Sequence, residues 1–222
     1  MTPDSDVQPF VFLGCAPVRE LLGHEARDAR ELAAELARVP DESTFCHTAG
    51  GLLRRAVLPE AYPNDFAQWA GTELHDRRLA ERLALVDMFD AGSLEAVRSE
   101  LIGVLEDHLR HAPGPLPRCQ DEPFSFCQLH VVPVPSGHQA RTLAEFRDAL
   151  AEVDASALFY HLVEARYRLG RGRGDFAEWV AAMGRPELAD RLARVDPFVG
   201  SLERIRDRYL AALDEAAERP RR

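Results

Sequence analysis

The chain has 222 residues, of which 46% are apolar and 29% charged, a balance typical of a globular protein of one or two domains. A net charge of −10 leaves no basic face for neutralising phosphates and argues against nucleic acid as a partner. No apolar run approaches the ~18 residues needed to cross a bilayer, so no membrane span is predicted.

In chain order, Phe10-Val11-Phe12-Leu13 alternates as a short strand would. Gly23-His24-x-Ala26-Arg27 follows, leading into Asp28-x-x-Glu31. That pair forms a capping box and predicts a helix with Leu32, Leu36 and Val39 on its buried stripe. A second helix is predicted through Phe45, Ala49, Leu52, Leu53 and Ala56, weakened by Gly50 and Gly51. After a loop with Pro59, Tyr62 and Pro63, Asp65 and Gln68 read as the cap and capping-box partner of a helix anchored by Trp69. A Leu-Ala-rich helix is expected at about 75–87, and a last one at about 93–110 with Ser93 as its cap. Pro113, Pro115 and Pro117 then break the chain.

The same order returns in the second half. Pro9-Phe10-x-Phe12 recurs as Pro123-Phe124-x-Phe126, and Gly23-His24-x-Ala26-Arg27 as Gly137-His138-x-Ala140-Arg141. Phe45-x-His47 recurs as Phe159-x-His161, and Asp65-Phe66-Ala67-Gln68-Trp69 as Asp175-Phe176-Ala177-Glu178-Trp179. The predicted fold is therefore mainly α: two tandem homologous helical repeats with pseudo-two-fold symmetry. Each has room for one short strand, and the two strands could pair with each other across the symmetry axis, because a single strand cannot satisfy its own backbone. The expected boundaries are 9–110 for the first repeat, 111–122 for a Pro-rich linker and 123–217 for the second.

Complete catalytic motifs are absent. There is no Gly-x-x-x-x-Gly-Lys-Ser/Thr, no Gly-x-Ser-x-Gly and no His-Glu-x-x-His. Cys15, Cys46, Cys119 and Cys127 recur in neither copy and form no Cys-x-x-Cys pair, so neither a structural metal site nor a disulfide framework is expected. With no secretory pattern after Thr2-Pro3-Asp4-Ser5-Asp6, a reducing cytoplasm is the expected compartment. Asp87 and Asp196 precede Arg98 and Arg206, and an ion pair within each couple is the simple explanation.

The matched histidines are the better lead. His24 with Arg27, and His138 with Arg141, stand just before a helix start, where N–H groups and the dipole suit an anion. His47 with Arg54, and His161 with Arg168, share helix faces. These eight residues are the ligand-binding candidates, weighed against the plainer possibility that the histidines are satisfied core groups. No catalytic residue, metal or cofactor is assigned.

The paired Phe-x-His and Asp-Phe-Ala-x-Trp motifs, with Leu79-Ala80-x-Arg82-Leu83-Ala84-x-Val86-Asp87 and its counterpart Leu188-Ala189-x-Arg191-Leu192-Ala193-x-Val195-Asp196, resemble a prokaryotic family, domain-of-unknown-function family 5752. The resemblance covers about residues 9–110 and 123–215. It implies no reaction and only leans toward a place beside sugar-handling enzymes. The expected function is a non-catalytic binding or regulatory module for a small anionic ligand or a partner protein. The alternatives are a small hydrolase or transferase using His47 and His161, or a structural partner of a neighbouring enzyme.

Overall fold

The computed structural model describes residues 7–55, 61–112, 114–170 and 172–218, the side chains of 54 and 55 excepted. It corrects the predicted fold. About 55% of the chain is helical, and the remainder includes an antiparallel two-stranded sheet of long strands, β1 (Phe10–Ala26) and β2 (Phe124–Ala140), 17 residues each. The chain is therefore not a mainly α molecule of two helical repeats carrying short strands. Gly14, Pro17 and Gly23 lie inside β1, and Pro133, Pro135 and Gly137 inside β2. In a two-stranded ribbon both strands are edges, and an edge strand tolerates a missing N–H on its unpaired side.

Helices α1 (Ala29–Leu36), α2 (Asp41–Thr48), α3 (Gly51–Arg55), α4 (Asp65–Thr72), α5 (Arg77–Ala84), α6 (Met88–Ala91) and α7 (Leu94–Arg110) lie between the strands. After β2 come α8 (Leu143–Glu152), α9 (Ala155–Leu158), a π-helical turn at Phe159–Glu164, α10 (Ala165–Tyr167), α11 (Asp175–Ala182), α12 (Pro186–Ala193) and α13 (Leu202–Glu218). The capping boxes form. The Asp28 carboxylate accepts from the Arg30 and Glu31 N–H groups while Glu31 accepts from the Arg27 N–H. Thr142 and Glu145 do the same for α8.

The chain divides into two compact units, 1–16 with 131–222, and 17–130, and the division falls inside both strands. In the first unit, Phe10 and Phe12 of β1 are buried against Phe146 of α8 and Phe176 of α11. The Trp179 indole N–H donates to the Gln8 carbonyl at 3.0 Å. In the second unit, Phe124 of β2 stacks on Phe66 of α4 with centroids 5.0 Å apart, Phe126 is fully buried, and Trp69 Nε1 donates to the Glu122 carbonyl at 3.0 Å. The strand residues thus complete an aromatic core in each unit.

The predicted helix through Phe45 and Leu53 is broken. The Gly50 N–H reaches five residues back to the Phe45 carbonyl at 3.1 Å, widening the turn after His47. A Cβ at Gly50 would sit 2.4 Å from the Cys46 carbonyl oxygen, so this tight return requires glycine. The corresponding stretch of the second half is the π-helical turn containing His161. Ala56 and Pro59 lie outside the described residues.

The Asp–Arg expectation is also corrected. Asp87 caps α6, accepting from the Phe89 and Asp90 N–H groups, and Arg98 instead binds Asp41 and the Val39 carbonyl. Arg206 likewise binds Glu203 and the Val153 carbonyl.

Candidate functional site

His47 and His161 do the same work in their respective units. The Nδ1 of His47 lies 2.9 Å from Asp65 Oδ2, and its Nε2 accepts from the Cys127 backbone N–H at 3.0 Å. The Nδ1 of His161 lies 2.7 Å from Asp175 Oδ2, and its Nε2 accepts from the Leu13 backbone N–H at 2.8 Å. A backbone N–H can only donate, so each Nε2 must carry a lone pair and the ring proton sits on Nδ1, facing the carboxylate. Each imidazole therefore ties a helix to a strand. Asp65 and Asp175 are one residue inside their helices. Asn64 caps α4, accepting from the Ala67 N–H, and Gly174 stands at the cap position of α11, which frees both aspartates for the rings.

The other sequence candidates do not join these sites. His24 pairs with Glu35 at 2.6 Å and His138 with Glu152 at 3.2 Å, both within reach of solvent. The backbone N–H groups of Arg27 and Arg141 are consumed by the capping-box glutamates, so each helix start presents a carboxylate. Arg168 pairs with the buried Glu164, whose carboxyl is pushed up by burial and held back by that guanidinium. The Arg54 side chain lies outside the described residues.

Around His47 the second unit has additional chemistry. Cys46 Sγ and Cys127 Sγ are 2.8 Å apart, and Cys127 Sγ is 3.5 Å from His47 Nε2. Arg19 of β1 reaches Asp65 Oδ2 at 3.0 Å and also acts on the Cys46 sulfur. The hydrogen bond from Cys127 and the Arg19 guanidinium hold the Cys46 thiol below the usual thiol range against the opposing effect of burial, while Cys127, sharing the proton, is pushed up. Burial pushes Cys15 up to about 12 and raises Cys119.

The first unit departs at each of these positions. Aligned on the repeat, Tyr160 stands for Cys46, Leu13 for Cys127 and Pro133 for Arg19. The aspartate–histidine–strand tie is common to both units, whereas the thiol pair belongs to the second unit alone.

Cys46, His47 and Cys127 are also a group of three potential metal ligands, with ligand atoms within 4.8 Å of one another. The His47 Nε2 lone pair is already taken by the Cys127 N–H, and the identical bond to Leu13 in the other unit has no thiol beside it. That nitrogen is thus accounted for by the strand tie.

A cleft of about 380 Å³ opens on this cluster. Phe124, Trp69, His47 and Cys127 line its depth, and Arg19, Asp65, Gln68, Thr72, Glu73 and Glu122 form its polar lining. Sequence reading missed Arg19, Cys46, Asp65 and Cys127 as a set. One signal was available: His47 and Asp65 are 18 residues apart and His161 and Asp175 are 14 apart, so the pair persists across a loop that changes length.

Residues 7–214 match the family described as a family of unknown function, DUF5752. A solved structure, that of OrfY from Thermoproteus tenax, is 30% identical and superposes with a TM-score of 0.83, covering 97% of this chain and 99% of that one. No curated protein matches the chain. Among the described residues, no helix is long and apolar enough to cross a membrane.

Proposed function

Because the chain belongs to the DUF5752 family of unknown function, we propose from its own residues that it is a non-catalytic binding or regulatory module, with the cleft beside Arg19 as its receptor site. The observation that carries this reading is the cleft's lining. The lining holds one basic residue, Arg19, and three acidic ones, Asp65, Glu73 and Glu122, with Gln68 and Thr72 among them. Such a surface repels an anion. It suits hydroxyl groups, which donate to carboxylates and accept from Arg and Gln, over the apolar edges of Trp69 and Phe124. The ligand class that fits is therefore a small, neutral, hydroxyl-rich molecule of the sugar or polyol type, or a polar segment of a partner protein, in preference to an anion.

The hydrolase or transferase alternative draws no support from the histidines. Both ring nitrogens of His47 and of His161 are engaged within their own units, so neither is poised to move a proton to a substrate.

Thermal shift against neutral sugars and polyols, sugar phosphates, nucleotides and inorganic phosphate tests the reading. At least one neutral class is expected to raise Tm in a concentration-dependent way, by mass action, and Glu73→Ala is expected to weaken that rise. A response confined to the anionic compounds, or a flat panel together with no stable partner on purification, would count against it.

A further inference from the structure

We infer that Cys46 and Cys127 form an oxidisable dithiol site, which a small hydroperoxide entering through the cleft converts to a reversible disulfide tying α2 to β2. The inference stands on the geometry of the second unit and is independent of the ligand reading.

Five observations carry it. The sulfurs are 2.8 Å apart, and a covalent S–S bond of ~2.05 Å needs an approach of only about 0.75 Å. The Cys127 backbone is pinned by its N–H bond to His47, and Asp65 orients that ring, so the strand sulfur is held in place rather than drifting. The Arg19 guanidinium acts on both sulfurs and favours the singly deprotonated pair, in which the remaining proton can sit on either one. Cys127 lines the cleft, while Cys46 is fully buried behind it, so an oxidant entering the cleft meets Cys127 first. The first unit retains the histidine and the aspartate but has Tyr160, Leu13 and Pro133 where the thiols and the arginine stand. The thiol cluster is thus an addition to a scaffold that works without it.

The chemistry balances with hydrogen peroxide as the oxidant. In the reactive form the two sulfurs hold one proton between them. A proton shift places the charge on Cys127, whose thiolate attacks the peroxide; the O–O bond breaks, a sulfenic acid forms on Cys127 and hydroxide leaves. That hydroxide takes the remaining proton from Cys46 and becomes water. The Cys46 thiolate then attacks the sulfenic sulfur, the S–S bond forms, and a second hydroxide departs, collecting a proton from solvent. Two sulfurs each lose one electron, the peroxide gains two, and the products are one disulfide and two waters. A dithiol reductant reverses the change by thiol–disulfide exchange.

The test treats the reduced full-length chain with one equivalent of hydrogen peroxide. Thiol titration under denaturing conditions is expected to fall from four to two. Intact mass should drop by two hydrogens, peptide mapping should place the link between Cys46 and Cys127, and dithiothreitol should restore all the thiols. Tm is expected to rise on oxidation, because the link closes a loop between residues 81 apart in sequence. A Cys15→Ser/Cys119→Ser variant should behave as the parent does. Cys46→Ser should stop at a sulfenic acid on Cys127 that a dimedone probe captures, and Arg19→Gln, folded by circular dichroism, should oxidise severalfold more slowly. Four surviving thiols, or a link through Cys15 or Cys119, would overturn the assignment. So would tight zinc(II) binding by the reduced protein that shields Cys46 and Cys127 from titration, since the cluster would then be a metal site.

Discussion

At the scale of single residues, the most consequential choice is a histidine used as a double-ended tie. Each imidazole satisfies a strand N–H with one nitrogen and gives its proton to a helix carboxylate with the other. Burial makes this expensive to disturb, because a lost partner leaves a polar group without water. Replacing His161 with Ala orphans the Leu13 N–H and takes the ring donor from Asp175. With each uncompensated group worth about 1–3 kcal/mol, the expected loss is at least about 2 kcal/mol. Asp175→Asn keeps an acceptor for the Nδ1 proton and should lose clearly less. Urea denaturation midpoints of the two variants check this. Equal losses would mean that ring volume, not the hydrogen-bond tie, is what matters. The residue types and their spacing were visible in sequence, yet their role was not. Asp65 and Asp175 fitted a capping position, and only the three-dimensional approach of a histidine 18 or 14 residues upstream reveals the true partner.

At the scale of elements, local rules succeeded where the structure is local. Capping boxes at Asp28 and Thr142, and the buried stripes through Leu36 and Leu150, depend on residues three or four apart, and both form. The sequence alternates as a strand would only over Phe10–Leu13, yet both strands run on through Pro17, Pro133 and Pro135. What lets them continue is the neighbouring strand, more than a hundred residues away, which no short window contains. The thiol pair was missed for the same reason, its members being 81 residues apart. Gly50 separates local from tertiary logic by the sign of one measurement. Helix propensity alone says that Gly50→Ala should stabilise by about 1 kcal/mol. The structure puts the new Cβ 2.4 Å from a backbone carbonyl, so a loss of about 1–3 kcal/mol is expected from overpacking. A stabilised variant in chemical denaturation would show that the wide turn after His47 is not required.

At the scale of the whole molecule, chain order and compact units do not run in parallel. Residues 10–16 belong with 131–222, and residues 124–130 belong with 17–130. Cutting the chain in the Pro-rich segment after residue 112 therefore removes Phe124, Phe126 and the Cys127 N–H from the helices they complete. It also removes Phe10, Phe12 and the Leu13 N–H from theirs. Losing a buried Phe costs about 3–5 kcal/mol, and each fragment loses two. A domain's whole stability is about 5–15 kcal/mol, so a loss of this size removes most or all of it. The expected outcome is that 1–112 and 113–222, purified separately, show no cooperative thermal transition, and that mixing or co-expressing them restores one. A fragment spanning 17–130 keeps every residue of its unit and should show its own transition. If 1–112 alone unfolds cooperatively as a monomer, the strand residues contribute far less than their burial implies, and the aromatic cores built on Phe12 and Phe126 are not what stabilises the two units.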